Sequence, residues 1–257
     1  MTRERVLKLP VLEIFGPTFQ GEGRAIGQKT MFVRTAGCDY HCDWCDSAFT
    51  WDGSEKPTRM TADEVIEALD ALGTYDYVTL SGGNPALLAA NMAELVSKLK
   101  ARGVTLAVET QGSRWQEWLK DIDQVTLSPK PPSSKMEVNM ETPGSIDHDG
   151  SLLDYCRLHD ITLQAWSPFQ MPAWKGCFLG SDEYPELNQK LHVLAEKYNV
   201  SDTTIAAAWI LRHPANMQII TGTASESRLK EIIAACEITL TREEWYELYL
   251  AAGHPLP

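Results

Sequence analysis

No run of about 18 apolar residues occurs in the 257-residue chain, and the opening Met1-Thr2-Arg3-Glu4-Arg5 leads into no apolar signal core. These absences argue against a membrane-spanning helix and a secretory leader, and set the expectation of a soluble, cytoplasmic protein. Cysteine is scarce as well. Six thiols in a chain this long, without a secretion signal, make a poor disulfide framework, so metal binding or chemistry is their better use. Positive charge is short too: 23 Lys and Arg stand against 35 Asp and Glu, a net charge of -12, which leaves no basic face for general binding of nucleic acid or membrane. The deficit is uneven. Residues 1–136 carry 15 basic and 18 acidic side chains, net -3, whereas 137–257 carry 8 and 17, net -9, a first sign of two origins. No internal repeat or low-complexity tract is present.

The pattern that is present alternates strand with helix. Lys29 to Arg34, Tyr75 to Leu80, Val104 to Val108 and Gln124 to Leu127 read as four buried strands. Thr61 with Glu64 makes a capping box that opens a helix with the apolar face Val65, Ile66, Leu69 and Leu72. Asn84 and Pro85 suit the start of a second helix, Gly103 its stop, and a third is expected around Trp115 to Leu119. Such alternation predicts a parallel sheet whose binding groups gather beyond the strand carboxyl ends. Cys38, Ser81-Gly82-Gly83, Glu109-Thr110-Gln111 and Ser128-Pro129-Lys130 all fall there.

Between Lys130 and Gly150 the pattern breaks at Pro131, Pro132, Pro143 and Gly144, which marks a junction over 137–150 between a region 1–136 and a region 151–257. Beyond it the periodicity predicts helices over Ser151 to His159, Pro185 to Tyr198, Ser201 to Leu211, Glu226 to Ala235 and Arg242 to Ala252. Strands are expected over Ile161 to Trp166 and Met217 to Thr221, with a loop around Pro168, Pro172 and Gly176.

Cys38, Cys42 and Cys45 lie on one short loop, three thiols spaced for iron or zinc and one short of the usual four, so the fourth metal position is open or filled from elsewhere. Cys156, Cys177 and Cys236 are scattered and read as small buried apolar residues. Glycines at 82 and 83 give a ligand close access to backbone at a strand end, although a plain strand-to-helix turn has the same need. Arg34, near a strand end, suits a carboxylate held by two parallel hydrogen bonds, or a surface ion pair. Glu109 could accept from hydroxyls or pair with a basic neighbour. For Ser47 alone, a turn or cap role is the simpler one.

The cysteine loop with Trp44 before its third thiol, and Ser81-Gly82-Gly83-Asn84-Pro85, resemble the radical S-adenosylmethionine (SAM) enzymes. Within them, residues 11–136 are similar to the 7-carboxy-7-deazaguanine synthase family, through Phe15-Gly16-Pro17-Thr18-Phe19-Gln20-Gly21-Glu22-Gly23, Phe32-Val33-Arg34-Thr35-Ala36-Gly37-Cys38, Cys45-Asp46-Ser47 and Ser128-Pro129-Lys130-Pro131-Pro132. The resemblance implies a 4Fe-4S cluster on Cys38, Cys42 and Cys45, SAM met by Trp44, Gly83, Ser128, Pro129 and Lys130, and magnesium on Ser47. It implies a pterin substrate met by Phe19, Gln20, Gly21, Arg34 and Ser81; no single catalytic side chain is assigned. The implied reaction is a radical SAM lyase's ring contraction of 6-carboxy-5,6,7,8-tetrahydropterin to 7-carboxy-7-deazaguanine with release of ammonia, in queuosine biosynthesis. An electron donor for the cluster and a homodimer are implied partners.

From residue 139 onward the chain resembles instead the carboxy-terminal part of the aldo-keto reductases. The match runs through Asn139-Met140, Pro143 to Ser151, Ala165-Trp166-Ser167-Pro168-Phe169, Ile210 to Ala215 and Arg242-Glu243-Glu244-Trp245-Tyr246. That implies NADP contacts at Trp166-Ser167-Pro168 and at Thr221 to Arg228. The catalytic Tyr, Lys, Asp and His of that family come from a first half this chain lacks, so the alternatives are an NADP-binding oxidoreductase-like protein or a catalytically impaired hybrid. The expected fold is α/β, a partial barrel of about six mostly parallel strands, four from one half and two from the other.

Overall fold

The computed structural model describes residues 6–130, 151–171 and 176–254. The junction residues between Pro131 and Gly150, and Pro172, lie outside these. Two compact units divide between Ser145 and Ile146.

The first unit holds a six-stranded sheet in the order β3-β1-β2-β4-β5-β6, with β1 at Leu9–Phe19, β2 at Lys29–Thr35, β3 at Thr58–Met60, β4 at Tyr77–Gly82, β5 at Thr105–Thr110 and β6 at Gln124–Leu127. The β1 pairings with β2 and β3 are antiparallel, and β2-β4-β5-β6 run parallel. The architecture is therefore α/β with a mostly parallel sheet of six strands, as expected, but the sheet is open and the strands are apportioned differently. All six come from the first unit. Among the described residues, the two strands of the second half, β7 at Gln164–Ala165 and β8 at Gln218–Ile219, pair only with each other.

The four expected strands are the parallel ones, with ends shifted by up to two residues. β1 was not expected, because Gly16-Pro17 in its middle are strand breakers. The structure absorbs them in a shift of register between Phe15 and Thr18, where an extra residue bends the strand without ending it. β3 is too short to show a period.

Along each parallel strand alternate side chains face opposite ways. Met31, Val33, Val78, Leu80, Leu106 and Val108 form one face and pack on Val65 and Leu69 of α1 (Ala62–Ala71) and on Met92, Leu95, Val96 and Leu99 of α2 (Ala90–Ala101). Each such aliphatic side chain fully removed from water contributes about 1.5–3 kcal/mol, so this face fixes the register. Thr61 and Glu64 do form the capping box of α1, but Leu72 ends the helix and is 41% exposed rather than joining the apolar face. Asn84 caps a short turn, Pro85–Leu87, instead of α2, and the expected third helix is a single tight stretch at Glu117–Asp121.

In the second unit α3 spans Ser151–Leu158, α4 Pro185–Tyr198, α5 Asp202–Leu211, α6 Glu226–Ala234 and α7 Arg242–Ala251. α5 is apolar on nearly all sides because it is central: Ile205, Ala206, Ala207 and Ala208 are buried among Leu191, Leu194, Leu240 and Leu248. Trp209 of α5 and Trp245 of α7 stack at 4.7 Å, each indole N–H donating to the other's carbonyl at 3.0 Å. Of the three scattered cysteines only Cys156 is buried. Cys177, at an isolated bridge to Gln170, and Cys236, in a short turn after α6, are exposed, which corrects the expectation for both.

A capping box also opens α7, through Thr241 and Glu244. Burial alone would raise the Glu244 carboxyl, but the Lys197 ammonium, the Thr241 amide and the Tyr198 hydroxyl outweigh it and hold it at about 2, against an ordinary 4.5. A carboxyl depressed on folding stabilises above its unfolded value, and that contribution is lost as pH falls toward the folded one. The second unit is therefore expected to lose roughly 2 kcal/mol of stability between pH 4.5 and about 2. Glu244→Gln should flatten that loss in urea unfolding followed by indole fluorescence; an unchanged slope would show that other carboxylates carry it.

Candidate functional site

The second face of the parallel sheet is polar. The register places Glu13, Arg34 and Ser81 side by side across β1, β2 and β4, and places Glu109 beside Thr126 across β5 and β6. Ser81 Oγ donates to Glu109 Oε2 at 2.6 Å, which closes the row. One residue pair nearer the strand starts lie Phe32, Thr79, Ala107 and Gln124. The segment after β1 lies over this face. Ala25 is buried against Tyr77 and Ala107, and a Cβ on Gly23, whose φ is +69°, would stand 2.2 Å from Thr126 Oγ1, so a side chain there would be strained and would have to displace Thr126.

Gln20 is buried in this arrangement. Its Nε2 donates to Glu109 Oε1 at 2.9 Å and stands 3.5 Å from Thr79 Oγ1, while its Oε1 accepts the Glu22 amide at 3.1 Å. Two residues expected to meet one substrate, Gln20 and Ser81, thus converge on a single carboxylate. Glu22 sits close by: burial, then the Glu109 and Asp46 carboxylates, raise its pKa, opposed by Lys130. Of the others in the expected substrate set, Arg34 lies beside Ser81 in the row but is paired elsewhere. Phe19 is 72% exposed at the end of β1, a Cβ on Gly21 would meet nothing, and Arg34 pairs with Glu13 at 2.7 Å with its guanidinium over the rings of Phe15 and Phe49.

At the carboxyl end of β2 the chain enters the cysteine loop. A Cβ on Gly83 would stand 2.3 Å from Gly37 O and 3.0 Å from Cys38 Cβ, so the glycine turn after β4 and the cysteine loop are in direct contact. The backbone N–H groups of Gly83 and Asn84 donate to Thr35 O and Gly37 O at 3.2 and 2.8 Å and hold the two together. Cys42 is buried, and Cys38 and Cys45 are half-buried. Burial first, and the Asp39 carboxylate second, push the Cys38 thiol up to about 11. Three thiols of one loop are the right donors for iron, but among the described residues no group of three or more His, Cys, Asp or Glu side chains is gathered as a metal cage.

Among the residues expected to meet SAM, Lys130 Nζ lies 5.6 Å over the Trp44 ring and donates to Ser128 Oγ at 2.8 Å, with Pro129 between them in the chain. These gather in one place, and Gly83 is the contact with the cysteine loop. Ser47, expected to hold magnesium, donates to Asp46 at 3.0 Å and starts the turn Ala48–Thr50.

Sequence reasoning missed Asp39, the hub of the loop. Its carboxylate accepts from Asn84 Nδ2 at 3.0 Å, Gln111 Nε2 at 2.7 Å and Ser113 Oγ at 2.7 Å, with Arg114 Nε 3.7 Å away. Burial would raise it, but the bonds from Asn84 and Ser113 hold it below its ordinary value. An acid between two cysteines carries no signal by itself, because its partners come from strand ends 45 to 74 residues away. In the second unit, Trp166-Ser167-Pro168 follows β7, and Thr221 to Arg228 follows β8 and enters α6, so both expected nucleotide segments leave the carboxyl end of one parallel strand pair. Among the described residues no helix is long and apolar enough to cross a membrane.

This is an α/β protein whose polar groups collect beyond the strand carboxyl ends, around a three-cysteine loop. The family model described as "Aldo/keto reductase family" matches residues 45–249, starting well before residue 139. The 7-carboxy-7-deazaguanine synthase of Bacillus cereus is 59% identical over 138 residues, covering 52% of this chain and 58% of that protein. The synthase of Bacillus subtilis is 53% identical over 161 residues, covering 61% and 65%, and that of Halobacterium salinarum 32% identical over 203 residues, covering 77% and 73%. The chain belongs to the aldo/keto reductase family and, as a hybrid, to the 7-carboxy-7-deazaguanine synthase family. It spans under two thirds of the length of the two Bacillus relatives.

Proposed function

We propose that region 1–136 is the working part of a radical SAM lyase that converts 6-carboxy-5,6,7,8-tetrahydropterin to 7-carboxy-7-deazaguanine, joined through 137–150 to a reductase-like region 151–257. The observation that carries this reading is the convergence of Gln20 and Ser81 on Glu109, on the polar sheet face, next to a glycine turn packed on the three-cysteine loop.

In this reading Cys38, Cys42 and Cys45 hold a 4Fe-4S cluster and leave its fourth iron open. When bound, the cluster with SAM supplies the radical that starts the ring contraction. Trp44, Gly83, Ser128, Pro129 and Lys130 hold SAM, and the Lys130 ammonium offers a charge partner for its carboxylate. Phe19, Gln20, Gly21, Arg34 and Ser81 orient the pterin. Arg34 would exchange Glu13 for the substrate carboxylate, whose two oxygens match the guanidinium fork. Ser47 would contribute one oxygen to magnesium, an ion that keeps most of its ligands from water or substrate. The segment that carries Ala25 over the sheet face would exclude water while cofactor chemistry proceeds. An electron donor is a required partner, and a homodimer is part of the reading.

Anaerobic iron-sulfur reconstitution, then mass-spectrometric product analysis with SAM, magnesium and the carboxy-tetrahydropterin, tests this. Deazapurine product is the expected result. SAM cleavage without it would mean an impaired hybrid, and no cluster would defeat the reading. A second reading, nucleotide binding by the reductase-like region without hydride transfer, is favoured by the two segments that leave the ends of β7 and β8. Saturable NADPH binding in the absence of iron would support it.

A further inference from the structure

The residues that touch the cysteine sulfurs have no role in the reading above. Two side-chain N–H groups approach two of the three sulfurs: Trp51 Nε1 lies 3.4 Å from Cys45 Sγ, and Gln111 Nε2 lies 3.6 Å from Cys38 Sγ. They come from different parts of the chain, one just after the cysteine loop and one just after β5.

Both are held in place. The second amide hydrogen of Gln111 is spent on Asp39 Oδ1 at 2.7 Å, and Asp39 is itself fixed by Asn84 and Ser113. Asn84 is buried, accepting from Thr110 Oγ1 at 2.8 Å and from the Ala86 amide at 3.1 Å. The chain of bonds thus runs from the ends of β4 and β5 to the Gln111 amide and leaves one N–H for the sulfur. Trp51 is packed against the His41 ring, 4.6 Å between centroids, and its backbone N–H donates to Ala48 O at 2.9 Å. A surface amide with free rotation would not hold such an aim, since fixing a side chain costs entropy that only further contacts offset.

We propose that Trp51 and Gln111 are positioning residues that act through Cys45 and Cys38 to raise the reduction potential of the bound cluster, with Asp39 orienting Gln111. The proposal rests on the cluster assignment above. Reduction adds one electron to the cluster; no cysteine bond breaks and no proton moves at sulfur. The added negative charge spreads onto the thiolate sulfurs, where an N–H donor stabilises the reduced form more than the oxidised one. Removing a donor therefore moves the potential to more negative values. The Tyr40 amide, 3.4 Å from Cys38 Sγ, is backbone and stays in every variant.

The test uses the full chain, reconstituted with iron and sulfide, in a dithionite-driven redox titration followed by electron paramagnetic resonance. Trp51→Phe and Gln111→Leu are compared with the parent, with iron content and thermal melting measured alongside. Both variants are expected to keep their iron and to titrate at more negative potentials, and the double variant at a more negative one still. Unmoved potentials at full iron content would overturn the proposal. If Gln111→Leu takes up no iron, Trp51→Phe decides the matter alone. Loss of iron in both would also overturn it, because the pair would then hold the loop rather than tune the cluster. A parent chain that takes up no iron would overturn the functional reading as well, and so is told apart from failure of this proposal alone.

Discussion

Replacing Cys38, Cys42 or Cys45 singly with serine is expected to lower the iron bound after reconstitution by more than tenfold and to abolish deazapurine product. For Cys38 the physical reason lies in what the thiol becomes without metal. Burial and the Asp39 carboxylate push the Cys38 thiol up to about 11, so at neutral pH only a bound cation can keep it ionised. In the proposed reading three thiols serve a cluster with an open fourth iron, so none is spare. Serine keeps the size of the side chain but not the soft, readily ionised donor that iron requires. The same change at Cys156, Cys177 or Cys236, none of which is on the loop, should leave iron content intact. Iron retained in any loop variant would sink the assignment of that residue.

Gly83→Ala carries the second largest expected effect. Its Cβ would stand 2.3 Å from Gly37 O, a backbone atom, and 3.0 Å from Cys38 Cβ, which is fixed to the backbone. No side chain there can swing aside, so the cysteine loop or the end of β4 must move. Overpacking of this kind costs about 1–3 kcal/mol. Gly83→Ala should therefore lower the urea midpoint of the first unit and reduce cluster uptake severalfold. Gly21→Ala is the control, because a Cβ there meets nothing within 4 Å. Equal stability and iron content in the two variants would show that the turn and loop are not in contact as described.

Legibility in the sequence followed the range of the interaction. The Thr61–Glu64 box, the aliphatic alternation of Met31, Val33, Val78 and Leu80, and the cysteine spacing are set by neighbours in the chain, and each stands where it was expected. β1 was hidden because the Gly16-Pro17 signal is local, whereas its tolerance comes from pairing with β2. The second-half strands were overestimated for a related reason. Ile161 to Trp166 has the apolar content of a strand, but only Gln164 and Ala165 find a partner, and a strand extends only as far as its ladder.

The candidate site divides in the same way. The cysteine triplet could be named from its spacing and the polar groups at 81–83 and 128–130 from their places at strand ends, while their expected roles came from the family resemblance. That Gln20 and Ser81 would share Glu109, that Arg34 would pair with Glu13, and that Asp39 would tie the cysteine loop to Asn84, Gln111 and Ser113 had no such signal. A polar side chain shows its type in the sequence. Its partner is decided by strand register and by how the loops cross the sheet, which bring residues 28 to 89 positions apart within 3 Å of one another. The sequence by itself determined the three-thiol loop, the α/β alternation and the hybrid composition of the two halves. The tertiary structure alone decided which carboxylate each donor serves and that all six strands of the main sheet belong to the first unit, because hydrogen bonds and strand pairs are made across space between residues whose separation in the chain no local pattern records.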